Sequence, residues 1–522
     1  MSNPTVQAER FPDKAAVIMA ETGATLTYRE LDAASARLAQ ALHAAGLRPG
    51  DHVASAVANH LMSPVVYWAA MRSGLYFTPV NTYLRAAEAR YVVENCEAKA
   101  VVVDGRLGDL AAGLVDDALP LALRLSIGQS LPGFEELDAV LARYPAEPLA
   151  EQPLGLTMVY SSGSTGRPKG IRRPLSGASY AEGNAALLGY VKSAYDVDER
   201  AVCLSPAPLY HAAPLSFTTA VEGWGGTVVL MERFDPEGFL AAIERYGVTH
   251  TLVVPTMMVR LLRLDDSVRE AADLSSLRFA MHGASPCPVP VKRAMIEWWG
   301  PVLMEYYAGS EDNGSTVITS QEWLAKPGSV GKAFGGCVLH VCDEAGADLP
   351  VGERGVVYFE SPGSRTFEYH GEPAKTDATR HPVHSDWTTL GDIGYLDEDG
   401  YLFLTDRTDY MIISGGVNIS PQEIEDVIIG HPAVLDVAVF GIPNPEFGEE
   451  VKAVVQLADP SATGPGIGEE IREYVRDRLA RHKVPRTVDI VEALPRSPAG
   501  KLYKRQLRER YLDADSGQKQ GA

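Results

Sequence analysis

Tyr160-Ser-Ser-Gly-Ser-Thr-Gly-Arg-Pro-Lys-Gly170 decides how this chain is read. The apolar run Leu156 to Val159 before it has the pattern of a strand, so the glycine and hydroxyl residues form the loop that leaves a strand end. Backbone N–H groups around Gly163, with the hydroxyls of Ser161, Ser162, Ser164 and Thr165, can surround phosphate oxygens, and Lys169 adds a point charge. A Walker A loop is excluded, because Pro168 stands in place of its second glycine and Gly170 follows the lysine where Ser or Thr is required. Ser161 to Thr165 alone would pass for a flexible connection. Arg167, Arg172 and Arg173 around Lys169 turn the segment into a basic focus and favour the phosphate reading.

That focus matters because the chain as a whole is acidic. Its 47 Lys and Arg face 68 Asp and Glu, a formal net charge of -21, which argues against nucleic acid as the main partner. At ~150 residues per domain the 522 residues make about three or four folding units. With 46% hydrophobic and 22% charged residues the composition is that of a globular chain. Five cysteines without a CxxC pair indicate neither a zinc site nor a disulfide framework. Charged residues break the first 14 positions, and Pro206, Pro208 and Pro214 interrupt the uncharged stretch 201–221, so no signal peptide and no membrane span are expected. The expectation is a soluble cytoplasmic protein.

Outward from the loop, helix and strand patterns alternate from the start to about residue 303, the rhythm of an α/β fold. Thr27 and Glu30 form a capping box that opens a helix, and Val228 to Leu230, Thr251 to Val254 and Arg278 to Met281 read as buried strands. From 330 to 406 short strands with acidic and glycine turns take over, Asp397-Glu-Asp-Gly400 being the clearest hairpin. Past Asp406 a new α+β unit begins. There Ser420-Pro-Gln-Glu423 offers a second capping box, and a charged helix is expected from Gly468 to His482. The boundaries are therefore 1–406 for a large domain, 407–512 for a small one and 513–522 for a polar tail.

Three further motifs follow the loop: Glu305-Tyr-Tyr-Ala-Gly-Ser-Glu311, Gly391-Asp392 with Asp406-Arg407, and Pro498-Ala-Gly-Lys501. Together the four resemble, in order and spacing, the signatures of the adenylate-forming (ANL) superfamily: acyl-CoA synthetases, peptide-synthetase adenylation domains and firefly luciferase. The resemblance spans about 155 to 505. It implies a large N-terminal domain of α/β subdomains plus a β-rich subdomain, with a small mobile α+β C-terminal domain. It also implies ATP, Mg²⁺ and coenzyme A as cofactors, a small-molecule carboxylic acid as substrate, and leaves room for a homodimer.

By that resemblance the loop Ser161 to Lys169 holds the leaving phosphates, and Tyr307 lies near the adenine. Ser310 bonds a phosphate, and Glu311 offers Mg²⁺ a hard carboxylate oxygen. Gly283-Ala284-Ser285 lines the adenine, Asp392 accepts from the ribose hydroxyls, and Arg407 adds a ribose or phosphate contact. Lys501 bridges the attacking carboxylate and the phosphate. Asp409 falls at the hinge, and Gly415 and Gly416 flank the pantetheine passage. Phe447 aligns with an aromatic that stacks on the CoA adenine in some relatives, although a turn-packing role is equally open to it. Ile413 and Gly415 occupy places where some ligases carry lysines, so CoA phosphate contacts from those lysines are absent or made elsewhere. His211, in Pro208-Leu-Tyr-His-Ala-Ala-Pro214, is the gate candidate by the incoming carboxylate, and Tyr210 beside it is a substrate-binding candidate. Tyr306, Ala308, Gly309 and Asn313 would flank the acyl group.

The reading is then an acid–CoA ligase acting on a hydrophobic acid, with motif wording most like bacterial fatty-acid, aryl-acid and bile-acid CoA ligases. Two alternatives stand beside it: an acyl-AMP ligase that loads a carrier protein, and a nucleotide-binding scaffold without catalysis.

Overall fold

The computed structural model describes residues 3–116, 119–161, 168–361, 367–407, 412–414, 417–444, 447–464, 466–496 and 502–518, with backbone alone at 406–407, 417–418 and 513–518. Among the described residues the large domain is built on two mainly parallel sheets. In one, six strands run in the order Glu135–Glu136, Leu123–Ile127, Ala98–Asp104, His52–Ala56, Tyr76–Pro79 and Leu156–Thr157, all parallel. In the other, parallel strands Leu303–Ala308, Phe279–His282, His250–Val253, Val202–Ser205, Thr227–Leu230 and Ala15–Met19 lie side by side, with antiparallel strands at both edges. Strands such as His250–Val253 and Thr227–Leu230 are buried throughout, as a sheet covered on both faces requires.

Helices pack between these sheets. Tyr28–Ala44 starts with the Thr27/Glu30 capping box the sequence predicts and buries Leu31, Leu38 and Leu42. The helix Ala212–Trp224 buries Leu215, Phe217 and Val221 in the same core.

The run Leu156 to Val159 does not stay in one strand. Leu156–Thr157 ends the six-stranded sheet, and Val159–Ser161 turns into a small antiparallel sheet with Lys169–Arg172 and Glu368–Tyr369. This break carries the chain out of the six-stranded sheet at Val159–Ser161. The β-rich region forms the antiparallel order Val338–Cys342, Gly355–Glu360, Trp387–Leu396 and Leu402–Arg407, and the Asp397–Gly400 hairpin lies where the turn residues place it.

The small domain has a sheet of Val417–Ile419, Ile412–Ser414, Gly448–Leu457 and Val434–Asn444, with Thr487–Val491 parallel to Gly448–Leu457. Ile424, Ile428, Ile471 and Val475 pack its helices onto that sheet. Three expectations need correction here. The helix Pro421–Ile428 lacks the Ser420 capping box: Ser420 Oγ donates to Thr405 O at 2.6 Å, and Glu423 pairs with Lys483 at 2.6 Å. Longer-range partners have displaced the local cap. The charged helix ends at Arg476, where Asp477 caps it, and His482 lies in a separate 3₁₀ turn. The polar end expected from Asp513 is helical as far as Gln518, in a helix that starts at Lys504.

Candidate active site

The carboxyl ends of four neighbouring parallel strands open into one cavity of about 1910 Å³. Ala207 to His211 follow Val202–Ser205, Val254 and Pro255 follow His250–Val253, Gly283 to Ser285 follow Phe279–His282, and Gly309 to Glu311 follow Leu303–Ala308. Loops at this end of a parallel sheet are where backbone groups and side chains are free to meet a ligand. Ser161 and Lys169 line the cavity from the small sheet, and Thr389 to Asp392 from the β-rich region.

Polar groups around Tyr307, Asp392 and Glu311 are already paired. Tyr307 donates its phenol proton to Asp392 Oδ2 at 2.6 Å, and Asp392 is only 7% exposed. The register of the hairpin sets Asp392 directly opposite Arg407, whose side chain lies outside the described residues. Glu311 Oε1 accepts from Tyr369 at 2.8 Å, and Lys169 Nζ stands 4.8 Å from the centroid of the same tyrosine ring. Small residues are required beside these groups. A Cβ on Gly283 would meet the Tyr306 ring at 2.7 Å, and one on Gly309 would meet Leu390 at 2.5 Å. Ala284 takes φ +69, which sharpens the turn out of its strand.

Under this floor lies a buried ionic cluster that the sequence did not announce. Lys292 Nζ and Glu305 Oε2 are 2.5 Å apart, and His282 Nε2 is 3.7 Å from the same oxygen. Burial raises the Glu305 carboxyl and lowers His282 far below its ordinary range, with the Lys292 charge adding to the latter. A neutral His282 keeps the cluster from carrying two cations. Glu305 starts the motif that ends at Glu311, so the pair anchors the strand carrying Tyr306 and Tyr307.

The part of the cavity between the helices is different in kind. Tyr306 and Phe217 line it with Tyr190, Tyr195, Ala220 and Trp68, contributed by three helices and one strand. Tyr190 packs edge-on to Tyr195 and Tyr195 edge-on to Phe217, at centroid distances of 6.2 Å and 5.6 Å. Burial raises all three phenols, Tyr190, Tyr195 and Tyr306, above their ordinary value, so they stay neutral. Behind them Trp68 Nε1 donates to Glu222 at 2.5 Å, and burial pushes the Glu222 carboxyl up to about 8. Tyr210 and His211 also line the cavity, their rings 4.6 Å apart, and His211 is the N-cap of the helix Ala212–Trp224.

Most of the residues singled out from sequence line this one cavity: Ser161, Lys169, Tyr210, His211, Gly283, Ala284, Ser285, Tyr306, Tyr307, Ala308, Gly309, Ser310, Glu311 and Asp392. Two do not. Asn313 is buried, its amide donates to Thr388 Oγ1 at 3.1 Å, and it is not among the residues that line the cavity. Asp312, at φ +54, lies in the turn from which the chain returns as Ser315–Thr319, antiparallel to Leu303–Ala308. Phe447 lies away from the cavity, with the Arg486 guanidinium 4.6 Å over its ring. Ser162, Gly163, Ser164, Thr165, Asp409, Gly415, Gly416 and Lys501 lie outside the described residues.

The small domain closes one side of the cavity with Gln422, Asp426, Leu435, Leu502 and Tyr503. Arg263 of the large domain donates to Val434 O across the junction. Lys504 pairs with Glu425 at 2.7 Å and Arg496 with Asp436 at 2.5 Å. Arg496 and Leu502 bridge antiparallel on either side of residues 497–501. Burial in this cleft pushes the Asp426 carboxyl up to about 7. Neither Tyr369 nor the Lys292–Glu305 pair carries a motif signal, because a lone tyrosine and a lysine thirteen residues from a glutamate have no pattern of their own.

The residues present fit the groups such a site needs. Among the described residues no cluster of three metal-ligating side chains exists. Glu311, one carboxylate facing the cavity, suits Mg²⁺, which is held by one or two protein carboxylates together with substrate phosphates.

Fold and site together define an adenylate-forming enzyme. The AMP-binding enzyme family matches residues 5–366 and the AMP-binding enzyme C-terminal domain matches 423–501, and the chain belongs to this family. A feruloyl-CoA synthase of an Amycolatopsis species is 34% identical over 512 residues, covering 97% of this chain and 98% of that protein. The fatty acid–[acyl-carrier-protein] ligase ScoC of Streptomyces coeruleorubidus is 31% identical, over 98% of this chain and 96% of its own length. Among solved structures, ATP-bound MatB from Rhodopseudomonas palustris superposes with a TM-score of 0.81 at 28% identity, covering 98% of this chain and 99% of that one.

Proposed function

We infer that the chain is an AMP-forming acid–CoA ligase that activates a hydrophobic carboxylic acid through an acyl adenylate. It uses ATP, Mg²⁺ and coenzyme A. The observation that carries this reading is one cavity whose nucleotide end holds Lys169, Glu311, Tyr307 and Asp392, and whose acyl end is walled by aromatic and aliphatic side chains.

The acid carboxylate enters past Tyr210 and His211 and attacks the α-phosphorus of ATP. Two anions meet in that step, so charge neutralisation and alignment supply most of the acceleration. Lys169 and the hydroxyls of Ser161, Ser162, Ser164 and Thr165 around Gly163 hold the departing phosphates. Mg²⁺, when held by Glu311, neutralises charge on those phosphates. Asp392 and Arg407 hold the ribose, Gly283 to Ser285 border the adenine, and Ser310 bonds a phosphate. Lys501, from the small domain, stabilises the pentacoordinate transition state.

Thioester formation follows when the small domain, 407–512, turns about Asp409 against the large domain, 1–406. Gly415 and Gly416 then admit the pantetheine arm, and Phe447 with Arg486 receives the CoA adenine. Among the described residues no helix is long and apolar enough to cross a membrane, and work in the cytoplasm accords with five free cysteines.

A panel of aryl and fatty acids, assayed for pyrophosphate release with CoA, with a pantetheinylated carrier protein and with neither, tests the reading. Acid-dependent release that CoA alone accelerates supports it. Acceleration by the carrier protein alone would assign the chain to the acyl-AMP ligases that load carriers. Absence of release with every acid would leave a nucleotide-binding scaffold.

A further inference from the structure

Tyr369 belongs to none of the sequence motifs, yet it touches two groups that matter in this site. Its strand, Glu368–Tyr369, pairs antiparallel with Lys169–Arg172, Ile171 standing opposite Tyr369. His370 N donates to Gly170 O at 2.8 Å, and Tyr369 N donates to Thr376 Oγ1 at 2.9 Å. The backbone of the tyrosine is therefore tied to the strand that carries Lys169. Its side chain is 8% exposed and fixed among Val159, Ile171 and Phe367. From that seat the ring face lies 4.8 Å from the Lys169 ammonium, and the hydroxyl donates to Glu311 Oε1 at 2.8 Å.

We propose that Tyr369 is a positioning residue for adenylation, its ring face setting the phosphate lysine and its hydroxyl setting the carboxylate that holds Mg²⁺. The proposal rests on the reading of Glu311 as that carboxylate. A phenol donating to a carboxylate makes a charge-assisted bond that selects one orientation of the acid, so one oxygen is committed to the tyrosine and the other is left for the metal. A cation over an aromatic face is held without being neutralised, so Lys169 keeps its charge for the phosphates. One rigid side chain thus orders a flexible lysine and a flexible glutamate before ATP arrives, which lowers the entropy cost of binding. A tyrosine that served only to fill the small apolar patch would contribute through its ring, and its hydroxyl would be dispensable.

Tyr369→Phe and Tyr369→Leu separate these roles, with Glu311→Gln as the reference. ATP binding is measured by calorimetry with and without Mg²⁺, alongside the Mg²⁺ half-saturation of pyrophosphate release and Tm. Tyr369→Phe should raise the Mg²⁺ half-saturation about tenfold, as loss of an outer partner of a metal ligand does. Its ATP affinity without Mg²⁺ should stay within about twofold, because the ring face remains. Tyr369→Leu should also weaken Mg²⁺-free ATP binding, by about two- to fivefold. If Tyr369→Phe keeps wild-type Mg²⁺ half-saturation and Mg²⁺-dependent ATP binding while Glu311→Gln loses them, the metal reading stands and the tyrosine proposal is overturned. A lower Tm with unchanged Mg²⁺ dependence overturns it in the same way. If Glu311→Gln also behaves as wild type, the metal reading falls and the proposal with it.

Discussion

The two ends of the cavity are built on opposite plans. At the nucleotide end charged and polar groups are paired in advance, Tyr307 with Asp392 and Tyr369 with Glu311, and glycines keep space that a single Cβ would fill. At the acyl end few polar groups converge, and the walls are aromatic rings in edge contact, contributed by helices whose sequence records only amphipathic packing. The nucleotide end performs chemistry common to every substrate the enzyme takes. Its residues must therefore stand at fixed places along the chain, whereas the acyl end needs only a shape. A shape can be assembled from many combinations of side chains.

The largest effect should come from Lys501, which the proposed mechanism assigns to the transition state. Lys501→Ala should slow adenylation about 10² to 10³-fold, the usual loss when a donor aimed at a transition state is removed. The same variant should convert a supplied acyl adenylate and CoA at near wild-type rate. Pyrophosphate release at the wild-type rate would remove the lysine from the mechanism.

Breaking the nucleotide end alone comes next. Asp392→Ala removes the ribose acceptor and the partner of the Tyr307 hydroxyl, so KM for ATP should rise about 10- to 100-fold while KM for the acid changes little. A change confined to the acid would place Asp392 in the acyl end.

The acyl end breaks separately. Ala220 is buried on the helix Ala212–Trp224 and lines the cavity, so Ala220→Leu shortens the space behind the reacting carboxylate. For the longest acids kcat/KM should fall about tenfold or more, with ATP affinity preserved and a smaller acid turned over normally. Equal losses for long and short acids would show that the space beside Ala220 does not hold the acyl chain.

The smallest effect is on stability and sharpens the view of the acyl wall. Glu222 is buried with its carboxyl raised to about 8, so folding takes up a proton between the ordinary carboxylate range and that value. Stability should decline as pH rises through this window, with a slope of about 1.4 kcal/mol per pH unit, and level off above it. Glu222→Gln keeps an acceptor for Trp68 and removes the titration, so its Tm against pH between 5 and 8 should be flatter than wild type. Parallel profiles would mean that Glu222 stays charged in the folded protein.

The same contrast explains what could be read without coordinates. Lys169, Glu311 and Asp392 stood out in sequence because each sits in a motif of set spacing, and the cavity brings the three together. Strands such as Thr227–Leu230 were legible from continuous apolar β-branched runs. Asn313 follows the motif in sequence but does not line the cavity, because the turn at Asp312, with positive φ, leads it back toward Ser315–Thr319. Ser420 shows a local signal yielding to a tertiary one, its hydroxyl going to Thr405. Tyr369, Trp68 and the Lys292–Glu305 pair gave no signal, since each acquires its role only when separate elements of the chain pack together.

The central claim is that acid and nucleotide meet in this cavity to form an adenylate before any thiol is involved. A single-turnover mixture of enzyme, ATP labelled at the α-phosphate, Mg²⁺ and an accepted acid, quenched in the absence of CoA, tests it most directly. The account predicts one equivalent of acyl adenylate per active site, discharged to AMP and acyl-CoA when CoA is added. Labelled ADP in place of the adenylate, or acyl-CoA formed with no adenylate at any time point, would contradict it.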